Sequence, residues 1–214
     1  MALNGARGRF VTLEGPEGSG KTTAARNLAR WLRQHGREAV LTHEPGGTPL
    51  GEAIRELVLH QQGVSDDLDP RTDALLYAAS RAQHVARVIR PALDRGEWVI
   101  CARFTDSSLA YQGYGYGNDL GEMRLLQAFA TGGLVPDLTL LIDVPVEIGL
   151  GRKRRDAWNR FENAESRNFH ERVRAGYLAL ASEEPARYRV IDGRGDVAAT
   201  DAAIRDTIAP LLDS

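Results

Sequence analysis

Gly15-Pro16-Glu17-Gly18-Ser19-Gly20-Lys21-Thr22-Thr23 satisfies the pattern G-x-x-x-x-G-K-[ST] at every defined position. Such a stretch is useful only between a β-strand and a helix, and its flanks meet that demand. Phe10-Val11-Thr12-Leu13 before it is β-prone, and Ala24, Ala25, Leu28, Ala29 and Leu32 after it recur at helical spacing. Glycines let the backbone turn its N–H groups onto phosphates, Lys21 adds a cation, and the Thr22 hydroxyl can bind Mg²⁺. The helix that follows aims the positive end of its dipole at the same place. The stretch implies a bound nucleoside triphosphate.

The chain has 214 residues, 43% of them hydrophobic and 26% charged, enough for one sizeable α/β core. A formal net charge of −2 gives no general attraction to a nucleic acid polymer or an anionic membrane. The lone Cys101 excludes an intrachain disulfide framework, and the apolar run Trp98-Val99-Ile100-Cys101 makes it a core thiol rather than a nucleophile. Asn4, Arg7 and Arg9 interrupt any apolar leader, and no run is long enough to span a bilayer. The chain therefore reads as cytoplasmic.

Strand-like runs occur at Phe10–Glu14, Ala39–Thr42, Trp98–Ala102, Leu138–Asp143 and Tyr188–Ile191, with helical patterns between them. This alternation predicts a three-layer α/β sandwich with a mainly parallel central sheet. The first helix should stop near Gly36. Thr72–Arg90 reads as a central, mostly buried helix carrying Leu75, Leu76, Ala79, Val85, Val88 and Ile89 and ending before Pro91. Pro145 marks another helix start, leading to Arg152-Lys153-Arg154-Arg155, and a last helix covers about Ala198–Leu212. Gly113-Tyr114-Gly115-Tyr116-Gly117 reads as a substrate loop. Without repeat or linker, residues 1–214 form one domain.

A phosphate loop alone fits GTPases, ATPases, transporter motors and small-molecule kinases. A compact single domain favours a small kinase, because phosphoryl transfer needs mainly positioning and charge neutralisation. Four segments narrow this further: Glu14 to Thr23, Glu44-Pro45-Gly46-Gly47-Thr48, Ser80-Arg81-Ala82-Gln83-His84, and Arg103-Phe104-Thr105-Asp106-Ser107-Ser108-Leu109-Ala110-Tyr111-Gln112-Gly113. Together with Pro136–Leu140 and Phe169–Leu178, they make the chain resemble the bacterial thymidylate kinase family nearly end to end.

The resemblance implies a P-loop kinase fold, a homodimer, and transfer of the ATP γ-phosphoryl group to dTMP with Mg²⁺. Gly15 through Thr23 would hold ATP, with Lys21 catalytic and Thr22 on the metal. Arg103 resembles the arginine gripping the acceptor phosphate, where a planar cationic fork suits an anion. Glu44 and Arg55 fall at acceptor-side positions; a solvated helix face accounts for Arg55 equally well. Tyr77, Arg81, Ser108 and Gln112 resemble the thymine pocket, although Tyr77 also fits a core aromatic. Tyr111 resembles the ring under the deoxyribose, where bulk excludes a 2′-hydroxyl. Glu17 resembles an acidic loop residue that faces the acceptor sugar and accompanies arginines from a lid near 151–165. Arg152, Lys153, Arg154, Arg155 and Arg160 supply that basic cluster, and Arg160 is assigned to catalysis together with Lys21, Arg103 and Glu17.

The chain departs from the family pattern at four positions. The usual Asp-Arg pair after the third strand is Ala102-Arg103, so a carboxylate that would organise Mg²⁺ or orient the arginine is missing. His43 stands for an arginine, Tyr116 for another, and Asn159 for an aspartate. Glu17, Glu44 or Asp143 are the carboxylates available to compensate. Two other readings remain open at this stage: a kinase for another or modified pyrimidine monophosphate, and a regulatory module that binds nucleotide with little turnover.

Overall fold

A computed structural model describes residues 7–60, 68–153 and 166–212 of the chain. Its centre is an all-parallel, five-stranded sheet ordered β2-β3-β1-β4-β5. The strands are β1 Phe10–Glu14, β2 Ala39–His43, β3 Trp98–Ala102, β4 Leu138–Asp143 and β5 Tyr188–Asp192. Three match the sequence expectation and two run one residue longer.

Because strand side chains alternate, each strand serves two layers. Val11, Leu13, Ile100, Leu140 and Ile142 face helices α1 (Lys21–Gln34) and α9 (Val197–Ile208). Ala24, Ala25, Leu28, Ala29 and Leu32 of α1 are all buried there, as their spacing predicts. The left-handed Gly36 follows the end of α1. On the opposite face, Phe10, Val99 and Cys101 pack beneath residues 85–93, while Leu141 and Tyr188 meet α6 (Leu120–Thr131) and α8 (Ser166–Glu183). Two further helices, α2 (Pro49–His60) and the short α5 (Thr105–Ser108), follow β2 and β3.

Three expectations need correction. The central helix does not end before Pro91: α3 (Pro70–His84) passes through a π-helical turn, Val85–Ile89, into α4 (Arg90–Asp94). The wider turn has already displaced the i→i−4 ladder, so the missing proline N–H breaks nothing. Nor is the apolar stripe of α3 its inner face. Asp73, Ser80, Arg81 and His84 are buried, whereas Leu75 is 57% exposed. The helix lines a polar crevice, and its inward side chains are those that can pair there.

The glycine-rich run is likewise not an open loop. Leu109–Gly115 continues α5 as a π-helical segment against α8. A Cβ on Gly115 would lie 2.7 Å from the Phe169 ring. Gly113 and Gly115 permit this packing, and Tyr111 and Gln112 just before them reach the crevice.

Candidate functional site

The carboxyl ends of β1, β2 and β3 lie side by side, with Leu13 and His43 both in register with Ala102. The chain thus leaves the sheet at Glu14, Glu44 and Arg103 around one crevice, where ligands of open α/β sheets bind. The phosphate loop forms one wall. Gly18, at φ 69°, approaches α7 (Val146–Lys153) so closely that a Cβ would sit 1.9 Å from the Gly149 carbonyl oxygen. The Lys21 ammonium donates to the Pro16 carbonyl at 2.7 Å and to Ser19 Oγ at 3.1 Å. No side chain caps the N-terminus of α1, which leaves its first N–H groups for an anion.

A cleft of about 590 Å³ extends from this loop. Glu17, Gly18, Gly20, Lys21, Thr22 and Thr23 line its phosphate end; Glu44, Arg55, Tyr77, Arg81, Arg103, Ser108, Tyr111 and Gln112 line the remainder. Sequence reasoning named all of these. Gly15 lies beneath the loop against the Ile142 carbonyl, and Pro16 turns its own carbonyl to Lys21. Ser19 borders a second pocket of about 280 Å³ with Gly195, Asp196, Thr200 and Asp201. Arg152 borders both spaces and donates to the carbonyls of Gly193, Arg194 and Gly195. Arg160, Asn159 and the lid from 154 to 165 lie outside the described residues.

Arg103 occupies the centre, its side chain 20% exposed. Its guanidinium contacts Glu17 at 3.0 Å, Tyr111 at 3.2 Å, Ser107 at 3.2 Å and Tyr177 at 3.3 Å. It also lies 4.8 Å from the Tyr111 ring centroid. Burial opposes its charge, but the surrounding phenols and carboxylates of Glu17 and Glu14 hold its pKa well above the usual value. Burial pushes the Tyr111 phenol up to about 12, so it stays protonated. Glu14, behind Arg103, has its pKa raised by burial and then by Asp106.

Toward the base end, Arg81 is buried and committed. It donates to Glu44 at 2.7 Å, Ser108 at 2.9 Å, the Phe104 carbonyl at 2.9 Å, and Gln127. The second Glu44 oxygen meets His84 Nδ1 at 2.9 Å, and His84 Nε2 meets Thr42 at 2.7 Å. Gln112 donates to the buried Asp73 at 2.9 Å, and Arg55 to the Pro45 carbonyl at 3.0 Å. Of the carboxylates available to replace one at position 102, Asp143 is gripped by Arg174 at 2.7 and 2.8 Å and does not line the cleft. Glu44 is held by Arg81 and His84. Glu17 alone of these faces the reacting region beside Arg103.

His43 also lines the cleft, 3.1 Å from Glu52. Burial lowers its pKa, with Glu52 pulling the other way and Arg55 and His84 adding to the depression. An NMR titration of its ring should therefore show a midpoint below the roughly 6.5 of a free histidine. Glu52→Gln should lower it further; a midpoint unchanged by that substitution counts against the pair.

Glu14, Ser107, Tyr177 and His84 were unassigned by sequence reasoning, although each touches a named residue. Glu14 carried one signal, a charge closing an otherwise apolar strand. Among the described residues, no group of three or more His, Cys, Asp or Glu could hold a metal, and no helix is long and apolar enough to cross a membrane.

The family model for thymidylate kinase matches residues 13–204. Thymidylate kinase of Carboxydothermus hydrogenoformans is 52% identical over 88% of this chain and 90% of its own length. That of Roseiflexus castenholzii is 46% identical over 96% and 94%. The crystal structure of thymidylate kinase from Ehrlichia chaffeensis superposes with a TM-score of 0.77 at 33% identity, covering 95% of this chain and 99% of that one.

Proposed function

That this chain belongs to the thymidylate kinase family makes it a phosphotransferase acting on dTMP, and we propose that ATP is its phosphoryl donor and Mg²⁺ the accompanying cation. The reading rests on one observation: a single cleft runs from Lys21 and Thr22 past Arg103 to Tyr77 and Gln112. The donor phosphates lie against the loop amides and Lys21. Arg103, with Arg55, draws the acceptor phosphate toward them, so the reacting oxygens meet with their charge neutralised. Tyr77 stacks on the thymine, Arg81, Ser108 and Gln112 face its polar edge, Glu44 fixes Arg81, and Tyr111 lies under the deoxyribose.

The donor set suits Mg²⁺, which binds through few protein oxygens and keeps phosphate and water ligands. Thr22 is exposed to the cleft and supplies such an oxygen. The cation would shield the phosphate charges there. The described residues read as one kinase domain, and the family resemblance assigns a lid near 151–165 with Arg160 as its catalytic arginine, of which 154–165 lie outside the described residues. The buried free thiol of Cys101 fits the reducing cytoplasm.

An ADP-release assay against dTMP, dUMP, 5-hydroxymethyl-dUMP, UMP and CMP tests the assignment: dTMP should be the best acceptor. Ala102→Asp, which adds a carboxylate at the cleft wall beside Arg103, should raise dTMP turnover about ten-fold, or 1.4 kcal/mol of barrier, with little change in KM for ATP. A fall on dTMP, together with a better alternative acceptor, would favour a specialised kinase.

The assembly is a homodimer joined through α3 and α6. These helices pack together and expose Leu75 at 57%, Leu125 at 74% and Phe129 at 87%. Leu125 and Phe129 stand one turn apart on α6, the spacing of a contact stripe. Light scattering should give a dimer mass, and Leu125→Glu with Phe129→Glu should give a folded monomer. A parent protein that is monomeric at assay concentration excludes this assembly.

A further inference from the structure

Behind Arg103 lies a buried polar tier that the roles above leave unused. Glu14 is 0% exposed. One of its oxygens accepts the Phe104 backbone N–H at 2.7 Å; the other accepts the hydroxyls of Ser107 at 2.6 Å and Tyr177 at 3.1 Å. Those two hydroxyl oxygens are also the contacts of Arg103 Nη1, at 3.2 and 3.3 Å. A carboxylate only accepts, so Ser107 turns its proton toward Glu14, Tyr177 donates to Glu14 or to Ser107 Oγ 2.8 Å away, and both oxygens present lone pairs to the guanidinium.

The backbone supplies an independent reason for such a brace. Arg103, at φ 71°, is the one described non-glycine residue with positive φ. This conformation is unfavourable for an arginine unless its surroundings hold it. Glu14 captures the next N–H in the chain, while the Arg103 N–H itself reaches the Leu13 carbonyl at 3.0 Å. A single carboxylate therefore holds both the turn that aims Arg103 and the hydroxyls on which its guanidinium rests.

We infer that Glu14 is a positioning residue for acceptor binding, fixing Arg103 through Phe104, Ser107 and Tyr177. The inference rests on the reading that Arg103 grips the acceptor phosphate. A buried carboxylate is costly to keep where an apolar side chain would pack, and the direction of Arg103 is what it secures in return. Ala102 increases that dependence, because the end of the strand that leads into Arg103 offers no carboxylate.

The test is a double-mutant cycle between Glu14→Gln and Arg103→Lys in folded protein, with KM for dTMP and for ATP measured separately. Glu14→Gln should raise KM for dTMP about ten-fold while KM for ATP stays within about two-fold. On the Arg103→Lys background it should add almost nothing, since the group it positions has been replaced. An equal loss on both backgrounds, or equal effects on both substrates, would show a general structural role and overturn the inference. If Arg103→Lys raises KM for dTMP and Glu14→Gln does not, the positioning role fails alone. If Arg103→Lys leaves KM for dTMP unchanged, the acceptor-phosphate reading fails and the inference with it. Should Glu14→Gln not fold, Tyr177→Phe removes one bridging hydroxyl but keeps the ring. It should raise KM for dTMP about three-fold on the parent and not on Arg103→Lys, and no change on the parent overturns the inference.

Discussion

Replacing Lys21 by alanine should lower kcat about a thousand-fold, equivalent to roughly 4 kcal/mol of barrier, while the fold survives. Lys21 is only 7% exposed, and its ammonium curls over the loop to the Pro16 carbonyl and Ser19. The contacts to Pro16 and Ser19 lie within the phosphate loop rather than the apolar core, and alanine is well suited to the first turn of α1. What disappears is a cation aimed into the concavity where negative charge spreads over the transferred group. The measurements are steady-state turnover of dTMP and a thermal melt. A variant that melts like the parent and turns over within a few-fold of it removes Lys21 from the mechanism.

Arg187→Ala should destabilise the protein by about 3–5 kcal/mol, because it strands a buried carboxylate. Arg187 grips Asp106 at 2.7 and 3.0 Å, and Asp106 is 1% exposed. The same guanidinium reaches Thr139 on β4 at 2.7 Å and Glu184 at 2.9 Å, tying α5, the sheet and the end of α8 together. A loss of that size should lower the melting temperature by roughly 6–20 °C in a domain of this length. Replacing both partners, as Asp106→Leu with Arg187→Met, should recover part of it, since no charge is then left unpaired. A single variant that melts within a degree or two of the parent would mean that solvent reaches Asp106. Because Asp106 lies between Arg103 and Ser107 in sequence, acceptor binding should weaken before global unfolding does.

Features of the fold that depend on local repetition were legible from residue order. The central strands β3, β1 and β4 bury both faces and so read as apolar runs, and α1 repeats its small and branched residues on a helical period. The phosphate loop is a contiguous stretch whose chemistry belongs largely to its own backbone. Arg103, Tyr111 and Gln112 were reached through resemblance, and their convergence on one cleft follows from parallel strands that all end at the same edge.

Local pattern misled wherever a helix packs against polar groups. In α3 the apolar stripe predicts the inner face, yet Asp73, Arg81 and His84 are inside because their partners, Gln112, Glu44, Ser108 and Thr42, come from other elements. Pro91 and the glycines after Tyr111 read as breaks for the same reason, since a π turn is settled by packing around it. The amino-acid sequence by itself determined the strand–loop–helix phosphate site, the parallel sheet and the family. Tertiary structure alone decided which charges are paired: Glu17 with Arg103, Asp143 with Arg174, Glu44 between Arg81 and His84, and Glu14 beneath the strained turn. A charge is tolerated in the interior only beside its counterpart, and those counterparts lie far apart along the chain, where no periodicity relates them.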